Sequence, residues 1–377
     1  MNRPQHTGIR FDSLNRENRA VNNTCLDSWF WFGDNQQLDC VVYCRLGLHR
    51  SLAGEVFPHR STKEDMIATQ NKVLPVLASL SAENQFLITS ESEGDCLPSA
   101  REVFDISSLT TLQAGQAVFL GPKGLLVLIN MNSHVVLSQI GPGTRALESF
   151  SELLTMDAAL DTSLSWACSE TYGFLNPEPI HTGSGLECNA LLFLPGIMDS
   201  AMFERVMKGL LSQGFELSVY NAESAEKSPY PLVELHYAVP PGMPEQEGLE
   251  RIGSALEGLI RGERATREKL VQNRYDEIRD SSSRAFGILS NAYLLEKDEC
   301  RQLLSDLRKG LVYSCLPVQE KAGFIKDIDR WWFAGETLVR QNLEGVPKQQ
   351  ITDNYIKSLR AKLVRSVLSQ YHIDRGI

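Results

Sequence analysis

Apolar positions along this chain recur first with the spacing of strands and later with the spacing of helices. The run DCVVYCRLGL (39–48) reads as a strand, and KEDMIATQNKVLPVLASLS (63–81) has helical spacing that must bend or end near Pro75. The segment 82–116 carries loop signals. QAVFLG (116–121) and GLLVLINM (124–131) flank the turn residues Pro122-Lys123 and predict a hairpin, and HVVLSQIG (134–141) adds a third strand in a meander. A helix follows over 146–160, then a buried strand in CNALLFLP (188–195). A helix over 198–214 has Asp199 near its cap and Gly214 at its stop, and strands come next at 215–222 and 232–239.

Beyond PPGMPEQEG (240–248) the pattern is almost entirely helical, with helices predicted over 246–276, 281–295, 297–311, 318–329 and 350–370. Three regions result: an N-terminal arm (1–38), an α+β region with a mostly antiparallel sheet (39–240), and a helical C-terminal region (241–377). In the polar, Asn-rich arm the cluster SWFWF (28–32) is the one strong anchor and is expected to pack on the sheet region. No repeat is evident at periods of 20–50 residues.

Composition narrows the function classes. With 42% hydrophobic and 22% charged residues the chain is an ordinary globular sequence, and its net charge of −10 argues against global attraction to nucleic acid or anionic membrane. The first residues lack the apolar stretch of a secretory signal, and the run at 124–131 is too short to span a bilayer, so a cytoplasmic protein is expected. Of the eight cysteines only Cys40 and Cys44 lie close together. No second pair or nearby histidine completes a zinc site, so no metal is expected and the thiols read as small buried hydrophobes. Asn22-Asn23-Thr24 matches a glycosylation sequon, which carries no meaning without secretion.

Most candidate residues have an ordinary structural explanation. Glu263, Arg264, Arg267 and Glu268 alternate in charge at helical spacing and read as a solvated face laced with ion pairs. His134 reads as a packed or hydrogen-bonded strand residue, and Trp331-Trp332 as bundle core or interface. Tyr220, Asn221 and Glu223 end a strand, where active-site carboxylates often lie. NPEPIHTGSG (176–185) is either a backbone cradle for phosphate or a plain turn. It precedes a strand rather than a helix, so it lacks the context of the common nucleotide loops.

The order of the pieces says more. TYGFLNPEPIHTGSGLECNALLFLP (171–195) resembles the active-site segment of the guanidino (phosphagen) kinases, the ATP:guanido phosphotransferase family. It is most similar to their bacterial branch, the protein arginine kinases, with Gly173, Leu175, Pro179, Gly183, Gly185 and Leu194-Pro195 in register. CVVYCRLGLHRSLAGEVFP (40–58), AVFLGPKGLLVLINMNSHVVL (117–137) and LLSQGFELSVYNAESAE (210–226) resemble three further motifs in the family's order. GERATREKL, AFGILSNAYLL and LLSDLRKGL resemble the helical C-terminal domain of that branch. The resemblance implies an antiparallel sheet flanked by helices, followed by an all-helical domain. It also implies a site in which arginines hold ATP phosphates and carboxylates position a guanidinium for attack on the γ-phosphoryl.

Carried over residue by residue, the resemblance implies a degenerate site. Arg45 keeps one phosphate-facing arginine, whereas four others are Gly47, Val136, Glu187 and Ser218. Asn130 and His134 match, but the two carboxylates that include the catalytic base are Met131 and Asn132, and the next aspartate is Ser133. Neither methionine nor asparagine accepts a proton at neutral pH. Glu178 stands at the reactive cysteine, and Glu223 keeps a strand-end glutamate. A carboxylate such as Glu187 beside a triphosphate opposes it by ~4 kcal/mol at 4 Å and an effective dielectric of 20. In the C-terminal region Arg360 and Ala361 remain of a phosphoarginine-site motif whose leading Arg-Asp pair is replaced by Ile356-Lys357.

The expectation is therefore a pseudokinase that binds or regulates, without a cofactor. The alternative is an active enzyme that uses MgATP to phosphorylate protein arginines, with Arg45, His134, the loop glycines and Glu223. Glu178, Glu187 and Glu223 are a candidate acidic pocket for a guanidinium or lysine side chain. Family partners imply a small zinc-binding activator protein, an active kinase paralogue or a homodimer, in protein quality control.

Overall fold

Strand β1 (Val41–Arg50) is buried on both sides, and the rest of the molecule is arranged around it. The computed structural model describes residues 37–80, 86–90, 112–200, 202–220, 230–343 and 345–373. The aromatic cluster 28–32, the sequon, Cys25, Cys96, Asn221 and Glu223 lie outside the described residues.

The remaining strands are β2 (Phe86–Thr89), β3 (Ala117–Leu120), β4 (Leu125–Ile129), β5 (Val135–Pro142), β6 (Cys168–Ser169), β7 (Gly173–Phe174), β8 (Leu186–Phe193), β9 (Glu216–Val219) and β10 (Leu232–Ala238). Eight of the ten strands among the described residues form one sheet in the order β2-β3-β4-β5-β1-β8-β10-β9, every pairing antiparallel, while β6 and β7 make a separate small hairpin. The predicted meander is the β3-β4-β5 stretch.

Helices cover both faces. They are α1 (Lys63–Leu80), α2 (Arg145–Glu148), α3 (Phe150–Leu164), α4 (Pro195–Met198), α5 (Phe203–Leu211), α6 (Glu245–Asn291), α7 (Lys297–Val312), α8 (Lys321–Gln341) and α9 (Asp353–Leu368). On one face Leu46, Leu48, Leu137, Cys188 and Leu235 pack with Val73 of α1, Leu153 of α3 and Leu256 of α6. On the other, Val42, Leu191, Phe193 and Leu232 share a core with Leu304, Leu311, Phe324 and Ile328 of the C-terminal helices. Each buried leucine contributes roughly 1.5–3 kcal/mol through apolar burial. The switch from sheet to helices falls between Ala238 and Glu245, next to the boundary proposed near 240.

Several elements depart from expectation for identifiable reasons. α1 runs through Pro75 because Val73, Leu74 and Leu77 anchor it to the core while Pro75 faces solvent. The helix predicted over 146–160 is split at Ser149, which leaves helical geometry with ψ near 4°. Asp199 closes α4 rather than capping the next helix, and α5 begins four residues later. The segment 82–116 includes β2, a strand hidden among loop signals. The helices expected over 246–276 and 281–295 are two helical stretches that meet without a loop within Glu245–Asn291, at a kink at Arg274 (φ −133°, ψ 23°). The serines at 281–283 do not stop the second, because Ser282 bonds back to the Ile278 carbonyl and across to that of Asp306. The helix expected over 318–329 continues to Gln341, carrying Trp331 and Trp332 into the core, where Trp332 stacks on Tyr230 with ring centres 3.9 Å apart.

The expected solvated face at 263–268 is corrected at two of its four residues. Arg264 and Glu268 are exposed, but Glu263 is fully buried and Arg267 nearly so. The Glu263 carboxylate accepts the backbone N–H groups of Gly196 and Ile197 at the start of α4, both at 2.8 Å, and pairs with Arg267 at 3.0 Å. Arg264 and Arg267 both reach Asp39, which precedes β1, at 2.6 and 3.0 Å. Burial pushes the Asp39 carboxyl up, yet the two guanidiniums outweigh it and hold it well below the usual carboxylate range. A depressed carboxyl adds stability that is complete above its unfolded value near 3.9 and is lost as pH falls below that. Asp39→Asn should therefore cost roughly 1–2 kcal/mol at pH 7. In urea melts its gap from the native chain should close as pH drops from about 4 toward 2; a constant gap would contradict this.

Candidate functional site

Directly paired residues of antiparallel strands share a face, so the register of the sheet assembles the site. Gly47 pairs with Ser138 and with Glu187, His49 with Val136, and Arg45 with Asn189. Glu187 also pairs with Ala238, and Ser218 of β9 with Glu234. Arg45, Gly47, Val136, Glu187 and Ser218, the five positions singled out in sequence, thus lie on one face of the sheet, on the neighbouring strands β5, β1 and β8 and on the edge strand β9. Of these five residues glycine, valine and serine carry no charge, while Arg45 and Glu187 carry opposite charges.

Glu187 is the hub. Its Oε1 accepts from Arg45 Nη2 at 3.1 Å and from the Asn189 amide. Its Oε2 meets His49 Nε2 at 3.0 Å and His181 Nε2 at 2.8 Å. The two imidazole rings are stacked, centres 3.6 Å apart and 5° from parallel. Burial pushes the Glu187 carboxyl up, but the hydrogen bonds of His181 and His49 and the charge of Arg45 hold it well below the carboxylate range. Burial pulls His49 below the usual histidine value despite Glu187, so its ring is neutral at pH 7.

The loop keeps its turn for packing reasons. Gly185 has φ 65°, and a Cβ there would sit 2.6 Å from the His49 carbonyl oxygen. The Gly185 carbonyl accepts the His49 N–H at 2.9 Å, and the Ser184 carbonyl accepts Arg50 Nη1 at 2.8 Å. The N–H groups of His181, Thr182, Gly183 and Leu186 all donate within the chain, to Glu178, Pro179, Phe174 and Ser184. The turn thus holds β1 and the small hairpin together through Gly183 and Gly185, and three of its amides, with that of Leu186 just beyond it, are already engaged. Behind it Arg50, fully buried, makes a two-pronged bond to Asp157 and lies 3.7 Å from the Phe174 ring centre.

The other expected residues have structural duties. His134 Nδ1 accepts the Leu52 N–H at 3.1 Å and its Nε2 faces the Val56 carbonyl at 3.0 Å, which fixes one neutral tautomer. Asn130 (φ 55°) donates to the carbonyls of Met66 and Gly115, pinning α1 to the β4–β5 turn. Met131 packs against the core, Asn132 is exposed, and the buried Ser133 hydroxyl lies between His49 and Asn176. Glu178 is half exposed, with Oε2 3.1 Å from His181 Nδ1. The open acidic pocket expected from Glu178 and Glu187 is filled from within, because Glu187 already holds the guanidinium of Arg45. Tyr220 packs against the C-terminal core. Arg360 makes a two-pronged bond to Glu336 at 2.7 and 3.0 Å and reaches the Leu295 carbonyl, while Ala361 is fully buried.

Sequence reasoning missed His49 and His181. His181 sits within the loop already singled out, but its meeting with His49 depends on the β1–β8 register, which the amino-acid pattern does not fix. Asn189, two residues after Glu187 on the same face, was the available signal.

Two family models match in succession. ATP:guanido phosphotransferase, C-terminal catalytic domain, matches residues 79–266, and Protein-arginine kinase McsB C-terminal domain matches residues 275–375. The chain belongs to the ATP:guanido phosphotransferase family. It is similar to the protein-arginine kinase of Shouchella clausii (24% identical over 348 residues, covering 90% of this chain and 94% of the relative). It is likewise similar to that of Halothermothrix orenii (24% over 358 residues, 92% and 98%). Among solved structures, lombricine kinase has the same fold with a TM-score of 0.51 at 15% identity, covering 67% of this chain and 75% of that one. A duplicated taurocyamine kinase from Schistosoma mansoni matches at 0.51 and 17%, covering 75% of this chain and 45% of that one. This member of the family therefore has the guanidino-kinase sheet and the helical C-terminal region, with Arg45, His49, His181 and Glu187 at the centre of its sheet face. Among the described residues no helix is long and apolar enough to cross a membrane.

Proposed function

We propose that this chain is a catalytically impaired homologue of the protein-arginine kinases that works as a binding or regulatory protein. The observation that carries the reading is the Arg45–Glu187 ion pair at 3.1 Å. The one retained arginine is neutralised by the carboxylate that replaces another, on a face where Gly47, Val136 and Ser218 add no charge. Phosphoryl transfer depends on neutralising the phosphates and positioning the nucleophile. A self-paired face does neither, and Met131 and Asn132 supply no base.

A cytoplasmic setting and a protein partner accord with this reading: an active kinase paralogue, a zinc-binding activator or a second copy, in protein quality control. Residues 1–38, 39–240 and 241–377 are the proposed regions for mapping such contacts. The competing reading is an active, MgATP-dependent arginine phosphotransferase.

Thermal melts with MgATP separate the two. A nucleotide present at 100 times its Kd stabilises a protein by about 2.7 kcal/mol, worth several degrees of Tm. The expected result is no shift at millimolar MgATP and no phosphoarginine on protein substrates. A saturable rise in Tm together with phosphoarginine would establish the active reading instead.

A further inference from the structure

His181 carries a buried Nδ1 without a hydrogen-bond partner among the described residues. Its Nε2 lies 2.8 Å from Glu187 Oε2, and its Nδ1 lies 3.1 Å from Glu178 Oε2. A neutral imidazole carries a single N–H, so one of its nitrogens faces a carboxylate with only a lone pair. The same Oε2 of Glu187 also meets His49 Nε2 at 3.0 Å. Two ring nitrogens and one carboxylate oxygen therefore converge, on residues that are each more than nine-tenths buried.

We propose that His49, His181 and Glu187 form a binding site for a divalent transition metal ion, with zinc favoured by the donor set. Two imidazole nitrogens and one carboxylate oxygen are a recurrent three-ligand zinc set that leaves a fourth position for water. Tetrahedral bonds of about 2.0–2.1 Å place neighbouring ligand atoms roughly 3.3 Å apart. The observed separations of 2.8 and 3.0 Å need only a small expansion to admit the ion.

The surroundings are set for ligation through Nε2. That mode requires each ring to carry its proton on Nδ1, near an acceptor. His181 Nδ1 lies 3.1 Å from the Glu178 carboxylate but outside hydrogen-bond geometry, so its proton needs a small turn of the Glu178 side chain, and His49 Nδ1 has the Ser133 hydroxyl at 3.2 Å. Ser133 can accept there because its own proton goes to Asn176 Oδ1 at 3.1 Å. Arg45 and Asn189 hold Glu187 Oε1 and leave Oε2 toward the histidines. Coordination also requires the near-parallel rings to tilt so that their lone pairs meet. His49 is fixed in β1, and the movement falls to His181, which is carried by the short Pro179–His181 turn. On binding, the ion takes the place of any N–H facing Glu187, and the single proton of each neutral ring moves to Nδ1 instead of being released.

The test uses the full-length protein, stripped with chelator and kept free of nucleotide, so its outcome does not depend on the catalytic reading. Zn(II) is titrated by calorimetry and Co(II) by visible absorption. The expected result is one equivalent bound, with the intense d–d bands of tetrahedral Co(II). His181→Ala should abolish the bands. Glu178→Gln, at a half-exposed position that leaves the fold intact, should weaken binding about 10–100-fold. Glu187→Gln checks the oxygen ligand, and circular dichroism reports folding of each variant. If the native protein binds no stoichiometric ion, or if binding survives in folded His181→Ala, the cluster shares protons only and the proposal is overturned.

Discussion

Asp329→Ala is expected to remove about 3–5 kcal/mol of folding stability, a large part of the total for most proteins. Asp329 on α8 and Arg308 on α7 are both fully buried, joined by two hydrogen bonds of 2.6 and 2.8 Å. The Tyr230 hydroxyl donates to the same carboxylate at 3.2 Å. Arg308 also donates to the Leu38 carbonyl just before β1, and its guanidinium carbon lies 4.0 Å from the Phe193 ring centre. Removing the carboxylate strands a guanidinium in a low-dielectric core, where its desolvation is uncompensated. Replacing both residues at once, as Arg308→Met with Asp329→Leu, should return much of the loss, because the cost comes from the unpaired charge. Urea midpoints of the two variants measure this; a loss below about 1 kcal/mol in Asp329→Ala would show that the pair is dispensable.

Glu187→Arg installs the arginine that the family resemblance implies at this position, and the expected outcome is damage instead of rescue. The new guanidinium would face Arg45 and the nitrogens of His49 and His181, all three of which now point at a carboxylate. Two guanidiniums 4 Å apart repel by about 4 kcal/mol at an effective dielectric of 20. Partial exposure of Arg45 reduces this, so a loss of roughly 2–3 kcal/mol is expected, with no gain in response to MgATP. Denaturant melts with and without nucleotide provide the check. A stabilised variant whose Tm rises with MgATP would mean that the phosphate site needs only this one residue.

The fold was legible where burial imposes a simple period. The strands at 39–48, 116–121, 124–131, 134–141 and 188–195 all form, because each is an apolar run between turn residues. Boundaries failed where a tertiary contact overrides a local signal. Pro75 is carried by the core residues beside it, and the serines near 282 are satisfied inside their helix. Glu263 was misread because charge alternation alone does not reveal that a carboxylate serves two distant amides across 67 positions of chain. For the site, the positions where the resemblance implies arginines could be named one by one. What the residues there do instead could not, since Glu187 meets His49 only through strand register and His181 only through the conformation of the glycine turn.

The second core has a consequence for synthesis. Phe193, Leu191 and Leu232 on the sheet are covered by Leu304, Leu311 and Phe324, which leave the ribosome more than sixty residues after the last strand. While the chain is growing, the sheet presents an apolar face with no cover, and its strands are joined across long sequence separations. Such a nascent intermediate is a natural target for chaperones and for self-association. Truncation anywhere before α7 would leave the molecule permanently in that state, so the helical region acts as the sheet's own late-arriving lid.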